Sequence, residues 1–113
     1  MKFIRWFEEV GTRDVALVGG KNASLGEMIQ NLTKKGVNVP SGFAITAEAY
    51  RYVIEKAGIR EKIVDTLAGL DTHDMENLSE RGSKIRGMIK NAGCPKELEE
   101  EIRLAYRLSL IHI

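Results

Sequence analysis

The stretch Gly19-Gly20-Lys21-Asn22-Ala23-Ser24-Leu25-Gly26-Glu27 holds the residues whose types and order could do chemistry. Two adjacent glycines let the backbone take positive φ and approach a ligand closely. Leu25, Met28, Ile29 and Leu32 recur at helical spacing, which predicts a helix over about 22–35, right after the glycines. The free N–H groups and the positive dipole end of that helix would point at one place, a geometry that favours anions such as phosphate. Lys21 adds a mobile cation where such an anion would sit. The candidate residues of this phosphate-binding turn are Gly19, Gly20, Lys21 and Asn22, the last as a helix cap or a phosphate donor. The stretch is not a Walker A loop, because the spaced first glycine is missing and Asn22, not Ser or Thr, follows Lys21. It lacks the G-x-G-x-x-G spacing of a dinucleotide fingerprint as well. A tight turn with an exposed lysine fits the local chemistry equally well.

Other elements must position this turn. Phe3 to Phe7 is an aromatic and β-branched run that predicts a short strand, with Trp6, Phe3 and Phe7 in the core. Gly11 to Asp14 is a polar turn, and Val15 to Val18 is a brief apolar approach to the glycines. Lys34, Lys35 and Gly36 suit a helix C-terminus. Val37 to Ile45 leads into a second short strand, which must start after Pro40 because proline donates no ladder bond. Four amphipathic helices should follow. Thr46 caps the first, whose buried face is Tyr50, Val53, Ile54 and Ala57. Ile59, Ile63, Leu67 and Leu70 mark the second, and Leu78, Ile85, Ile89 and Ala92 the third. Pro95 opens the fourth at its first position, with Leu98, Ile102 and Ala105 as the apolar stripe. Met28 and Ile29 are expected on the core stripe of the helix that carries Lys21. The expected fold class is helix-rich α+β (α/β), with a few short strands near the N-terminus followed by about four helices.

Composition narrows the function. The chain has 113 residues, 43% hydrophobic, 29% charged and 6% aromatic, which suits one soluble globular domain or part of one. Lys plus Arg total 17 against 16 Asp plus Glu, a formal net charge of +1, which argues against a dedicated nucleic-acid binder. One cysteine, Cys94, excludes an internal disulfide framework. No apolar run approaches the ~20 residues of a membrane span, and the acidic residues Glu8 and Glu9 come too early for a signal peptide. A cytoplasmic setting without nucleic-acid or membrane partners is expected.

Three segments carry a family resemblance. Trp6-Phe7, then Leu17-Val18-Gly19-Gly20-Lys21-Asn22-Ala23-Ser24-Leu25-Gly26-Glu27-Met28, then Val39-Pro40-Ser41-Gly42-Phe43-Ala44-Ile45-Thr46 closely resemble the opening of the ATP-dependent dikinase family that contains phosphoenolpyruvate synthase and pyruvate phosphate dikinase. The likeness is strong over residues 1 to about 57 and looser to Arg107. Asn22-Ala23-Ser24 and Trp6-Phe7 are more similar to the synthase branch. The resemblance implies an ATP-grasp-like nucleotide-binding domain that takes ATP with Mg2+. In the whole enzyme, ATP phosphorylates a histidine on a mobile domain through a pyrophosphoryl intermediate. That histidine then phosphorylates pyruvate, and the products are phosphoenolpyruvate, AMP and phosphate. Lys21 maps onto the family lysine that contacts ATP phosphates.

The family's next nucleotide-binding element, an Arg-Ser-Ser stretch, is absent here, and its acidic metal ligands lie further on. His73 and His112 sit in no motif resembling the phosphohistidine segment. The resemblance thus implies that residues 1–107 are a partial N-terminal ATP-binding domain, inactive alone, without catalytic or metal-binding residues of its own. The pyruvate site and the phosphohistidine domain would be partners within the full-length enzyme. Residues 108–113, Leu-Ser-Leu-Ile-His-Ile, resemble the in-frame translation of a common sequencing adapter and are expected to be a non-native tail. Two alternatives stand beside this reading. One is pyruvate phosphate dikinase or another dikinase with a different acceptor. The other is a free-standing helical interaction module from Thr46 to Arg107 with no nucleotide site.

The remaining candidates have plainer readings. Cys94 suits a helix boundary better than a reactive thiolate. Asp71, His73 and Asp74 suit a helix cap better than a metal site. Glu97, Glu99, Glu100 and Glu101 read as a solvated helix face. Arg5 and Arg13 could approach phosphates, though no spacing requires it.

Overall fold

A computed structural model describes residues 1–40 and 42–111. It divides into two compact units, Met1–Tyr50 with Lys96–Ile113, and Arg51–Pro95. Ser41, within the third resembling segment, lies outside the described residues, as do His112 and Ile113 of the expected tail.

The first unit is built on a two-stranded antiparallel ladder. β1 (Ile4–Trp6) pairs with β2 (Phe43–Ile45) in the register Ile4–Ile45, Arg5–Ala44 and Trp6–Phe43. Both strands fall where their aromatic and β-branched residues predict, and β2 starts after Pro40 as its missing donor requires. Trp6 and Phe43 meet edge to face, with centroids 5.6 Å apart. Phe3 and Val10 are fully buried, and Phe7 packs on the core. Those aromatics are therefore packing residues, as expected.

Between the strands the chain is more helical than its strand-like composition suggests. Two 3-10 turns (Phe7–Glu9 and Thr12–Asp14) lead into α1 (Val15–Val18), a single turn, and then α2 (Gly20–Lys34). α2 begins earlier than the apolar periodicity predicts, because Gly20 and Lys21 already have helical backbone. Its buried residues are Ala23, Gly26 and Ile29. Met28 is 49% exposed and does not join the core stripe. The stripe begins with the small residues Ala23 and Gly26 because α2 lies directly against the backbone of Val10 at Gly26. A Cβ on Gly26 would come 2.3 Å from Val10 O and 2.6 Å from Val10 Cγ2.

α6 (Lys96–Ile111) completes this unit by packing on β1 and β2. Its expected stripe holds, with Leu98 and Ala105 buried and Ile102 half-buried. Pro95 sits just before the helix rather than at its first position. Glu101 is not on a solvated face. It is half-buried, and its Oε1 accepts the backbone N–H of Phe3 at 2.6 Å, which ties the helix to the strand 98 residues away. α6 continues as one helix through Ile111.

α3 (Ala47–Ala57) starts in the first unit. Buried Thr46 caps it as predicted, its Oγ1 accepting from Ala49 N at 3.3 Å. The buried residue near its start is the small Ala49, whereas Tyr50 and Ala57 are exposed. The second unit contains α4 (Arg60–Ala68) and α5 (Met75–Asn91). Asp74 caps α5 by accepting from Glu76 N and Asn77 N at 3.1 and 3.2 Å, which is the cap role expected of the Asp71–Asp74 loop. Ile59 is buried, while Leu67 and Leu78 stay exposed. Only part of each apolar stripe is covered within this unit.

Two glycine substitutions should separate close packing from helix propensity. Gly26→Ala drives a Cβ into Val10 and should cost about 1–3 kcal/mol or more of stability. Gly87→Ala, in α5 with nothing within 4 Å of the new Cβ, should gain about 1 kcal/mol. Urea unfolding of the two variants measures both signs.

Candidate phosphate-binding turn

Gly19 joins two helices. Its N–H donates to Val15 O at 2.8 Å and closes α1, while its carbonyl accepts Ala23 N–H at 3.0 Å and opens α2. It does so at φ 86°, ψ 161°, a region that only glycine occupies without strain. The N–H groups of Gly20, Lys21 and Asn22 precede the first α2 hydrogen bond, and Gly19 has no side chain to cap them. Three donors at the positive end of a helix of 15 residues are thus left without a capping group among the described residues.

The two glycines serve different ends. Gly19 needs its missing Cβ for its backbone. Gly20 is helical, and nothing lies within 4 Å of where its Cβ would be, so the fold does not demand glycine there. Lys21 is exposed, and no described side chain pairs with it. Asn22 is half-buried and donates from Nδ2 to Val18 O at 2.9 Å. Its amide therefore caps the C-terminal end of α1 and holds the two helices together at the turn.

Behind the turn, α2 grips the segment that follows β1. Gln30 Nε2 donates to Phe7 O at 3.1 Å and Val10 O at 2.6 Å. Glu27 Oε2 accepts Thr12 N–H at 3.2 Å, and Asp14 Oδ2 accepts Gly11 N–H at 2.9 Å. A shallow polar groove lies along this flank, with Glu27 and Gln30 on one side and Glu9 to Arg13 on the other. Arg13 is exposed at its rim. Arg5 is engaged elsewhere, its Nη1 donating to Met1 O and Ile4 O. Among the described residues no three His, Cys, Asp or Glu side chains converge on a point that could hold a metal ion. No described helix is long and apolar enough to cross a membrane. Cys94 is exposed just before α6, at the boundary expected of it.

Residues 15–110 match the family model described as pyruvate phosphate dikinase, AMP/ATP-binding domain. The chain belongs to this family. The matched region of this dikinase nucleotide-binding domain takes in the whole turn and both flanking helices. Similar relatives include the phosphoenolpyruvate synthase of Synechocystis sp., 60% identical over 103 residues, which covers 91% of this chain and 13% of that protein. A probable phosphoenolpyruvate synthase of Staphylothermus marinus is 51% identical over 106 residues, or 94% of this chain and 12% of the relative. The phosphoenolpyruvate synthase of Escherichia coli is 44% identical over 103 residues, or 91% and 13%. The chain thus spans only about an eighth of the length of these relatives.

Gln30 escaped the sequence reading, which quoted Glu27 without giving it a role, although both tie α2 to the segment after β1 behind the dikinase turn. The available signal was position: Gln30 follows Gly26 by four residues, on the same helix face as the closest backbone contact. Gly19→Ala should cost about 1–3 kcal/mol through backbone strain. Gly20→Ala should leave stability equal or slightly higher, because alanine suits a helical position better. Thermal or urea melts of the two variants test this contrast.

Proposed function

We propose that the turn Gly19–Asn22 is the phosphate-binding part of an ATP site, and that the chain is an N-terminal portion of a phosphoenolpyruvate synthase. The observation that carries this reading is the uncapped N-terminus of α2 beside Lys21, which has no partner among the described residues, and the open space over Gly20. That arrangement stands in a chain whose family model is an AMP/ATP-binding domain. Phosphate oxygens would accept from the N–H groups of Gly20, Lys21 and Asn22, and Lys21 would neutralise charge. Gly19 shapes the turn. Gly20 leaves room for the ligand to reach the backbone. Asn22 positions the turn through Val18 and keeps its other amide hydrogen for the phosphate.

In the whole enzyme, ATP would phosphorylate a histidine, and the phosphohistidine would phosphorylate pyruvate to phosphoenolpyruvate with release of AMP and phosphate. The relatives named as phosphoenolpyruvate synthases support pyruvate as acceptor with the synthase rather than the dikinase stoichiometry. Magnesium would accompany the nucleotide. Among the described residues no three His, Cys, Asp or Glu side chains form a ligand set for it. The same reading makes the chain inactive by itself, since it holds neither the phosphohistidine nor the acceptor site.

Charge-assisted hydrogen bonds contribute about 1.5–3 kcal/mol each, and association costs about 4–15 kcal/mol in lost translational and rotational freedom, so the few that the turn offers leave an affinity of about millimolar or weaker. Titration of the isolated chain with ATP, followed by NMR or calorimetry, should give a Kd of millimolar or weaker, with shifts centred on Gly20 to Asn22. Lys21→Ala should remove the measurable binding. Shifts that survive Lys21→Ala would place the phosphate elsewhere, and micromolar binding abolished by Lys21→Ala would show that the chain carries more of the site than the turn.

A further inference from the structure

α4 carries two apolar rows, and its own chain covers one of them. Ile59, just before the helix, and Thr66 are buried, with Ile63 and Leu70 half-buried. The other row is Arg60, Val64, Leu67 and Asp71, spaced by four, three and four residues. That spacing sets one residue per turn along a single line of the helix, and the last one turn past Leu67, beyond the helix end. All four are exposed, Val64 by 57% and Leu67 by 47%.

A solvated helix face is polar or charged throughout. This row is apolar at its centre, cationic at one end and anionic at the other, so it is complementary to itself when turned end for end. Arg60 opens α4 at the positive end of the helix dipole, where an anion is favoured and a cation is not. No described side chain pairs with it. Asp71 Oδ1 accepts the N–H of His73 at 3.0 Å, and among the described residues nothing donates to its Oδ2. The guanidinium of Arg81 fills the space where a Cβ on Gly69 would lie. Gly69 comes two residues after Leu67, on another side of the helix, so Arg81 leaves the row clear.

We propose that this row is the seat of a second copy of the chain, with the two α4 helices antiparallel about a two-fold axis between Asp65 and Thr66. In that register Val64 stands opposite Leu67 of the second copy, and Arg60 stands opposite its Asp71. Arg60 also meets the carbonyl end of the other α4, the helix end that favours a cation. The pairing covers Val64 and Leu67 of both copies and closes an ion pair at either end. A helix of nine residues is short, about 13 Å long. The contact therefore belongs with the small, transient interfaces of less than about 1,200 Å², and its dissociation constant should be on the order of 100 μM. This assignment is independent of the nucleotide reading, since it uses no residue of the Gly19–Asn22 turn.

Sedimentation equilibrium of this chain from about 10 μM to about 1 mM should show a mass that rises from monomer toward dimer. Leu67→Lys, at an exposed position, should keep the circular dichroism and leave a monomer over the whole range. Arg60→Asp and Asp71→Arg should each weaken association about tenfold or more, since each sets like charges opposite one another at both ends. An equimolar mixture of those two variants should associate as the unaltered chain does, because each supplies the charge that the other lacks. Arg60→Asp also puts an anion at the start of α4, so its monomer should melt no lower than the unaltered one, which separates a lost contact from a lost fold. A chain still monomeric at about 1 mM overturns the proposal, and is the result expected if the further polypeptide of the longer relatives covers the row instead. A dimer that survives Leu67→Lys overturns it by placing the second copy elsewhere. A mixture of the two folded charge variants that stays dissociated overturns the antiparallel register.

Discussion

Everything at the turn depends on one close approach, that of α2 to the backbone of Val10. Gly26 makes it possible, since any Cβ there would overlap the Val10 carbonyl. The approach brings Gln30 within hydrogen-bonding distance of Phe7 O and Val10 O. Both carbonyls belong to the segment that follows β1, and part-buried acceptors of this kind are costly when unpaired. The same amide therefore satisfies the segment and fixes the helix. With α2 held at its middle, its N-terminus has a fixed position relative to the sheet.

That fixed position gives the Gly19 turn its chemical meaning. A flexible loop could offer N–H groups to an anion only by ordering itself at the moment of binding. Here the order already exists, through Val15, Val18 and Ala23, each bonded to Gly19 or Asn22. The three uncapped donors are pre-organised at the dipole end of a helix of four turns, which is where general physics places phosphate. Lys21, exposed and without a partner among the described residues, would contribute charge there. The division of labour between the glycines follows from the same geometry: one bends the backbone and the other keeps space open beside it.

A second organising contact joins the ends of the chain. Glu101 from α6 accepts the Phe3 N–H, while Leu98 and Ala105 bury on the same side of the helix. The acidic run that composition alone assigns to solvent thus contains one carboxylate with a structural task. Its neighbour Glu99 does face outward and pairs with Arg103 at 2.7 Å, an exposed i, i+4 pair of small energetic weight. Four glutamates close together in sequence fall on different faces of one helix, and only the tertiary contact with β1 distinguishes Glu101.

The sequence by itself determined the features whose causes are local. The two strands, the helix after Gly-Gly, the Thr46 and Asp74 caps and the α6 stripe all follow from residues within a turn or two of one another. The family resemblance was legible for the same reason, because its motifs are short and contiguous. Tertiary structure alone decided which side of each helix is covered. Met28, Tyr50, Leu67 and Leu78 have the right periodicity for burial but remain exposed, since periodicity states that a face exists and not what meets it. It also decided the roles of Gly26, Gln30 and Glu101, whose partners lie 16, 20 and 98 residues away along the chain. Contacts over such separations depend on how α2 and α6 pack against β1 and the turn after it, and no local pattern of residue types encodes that packing.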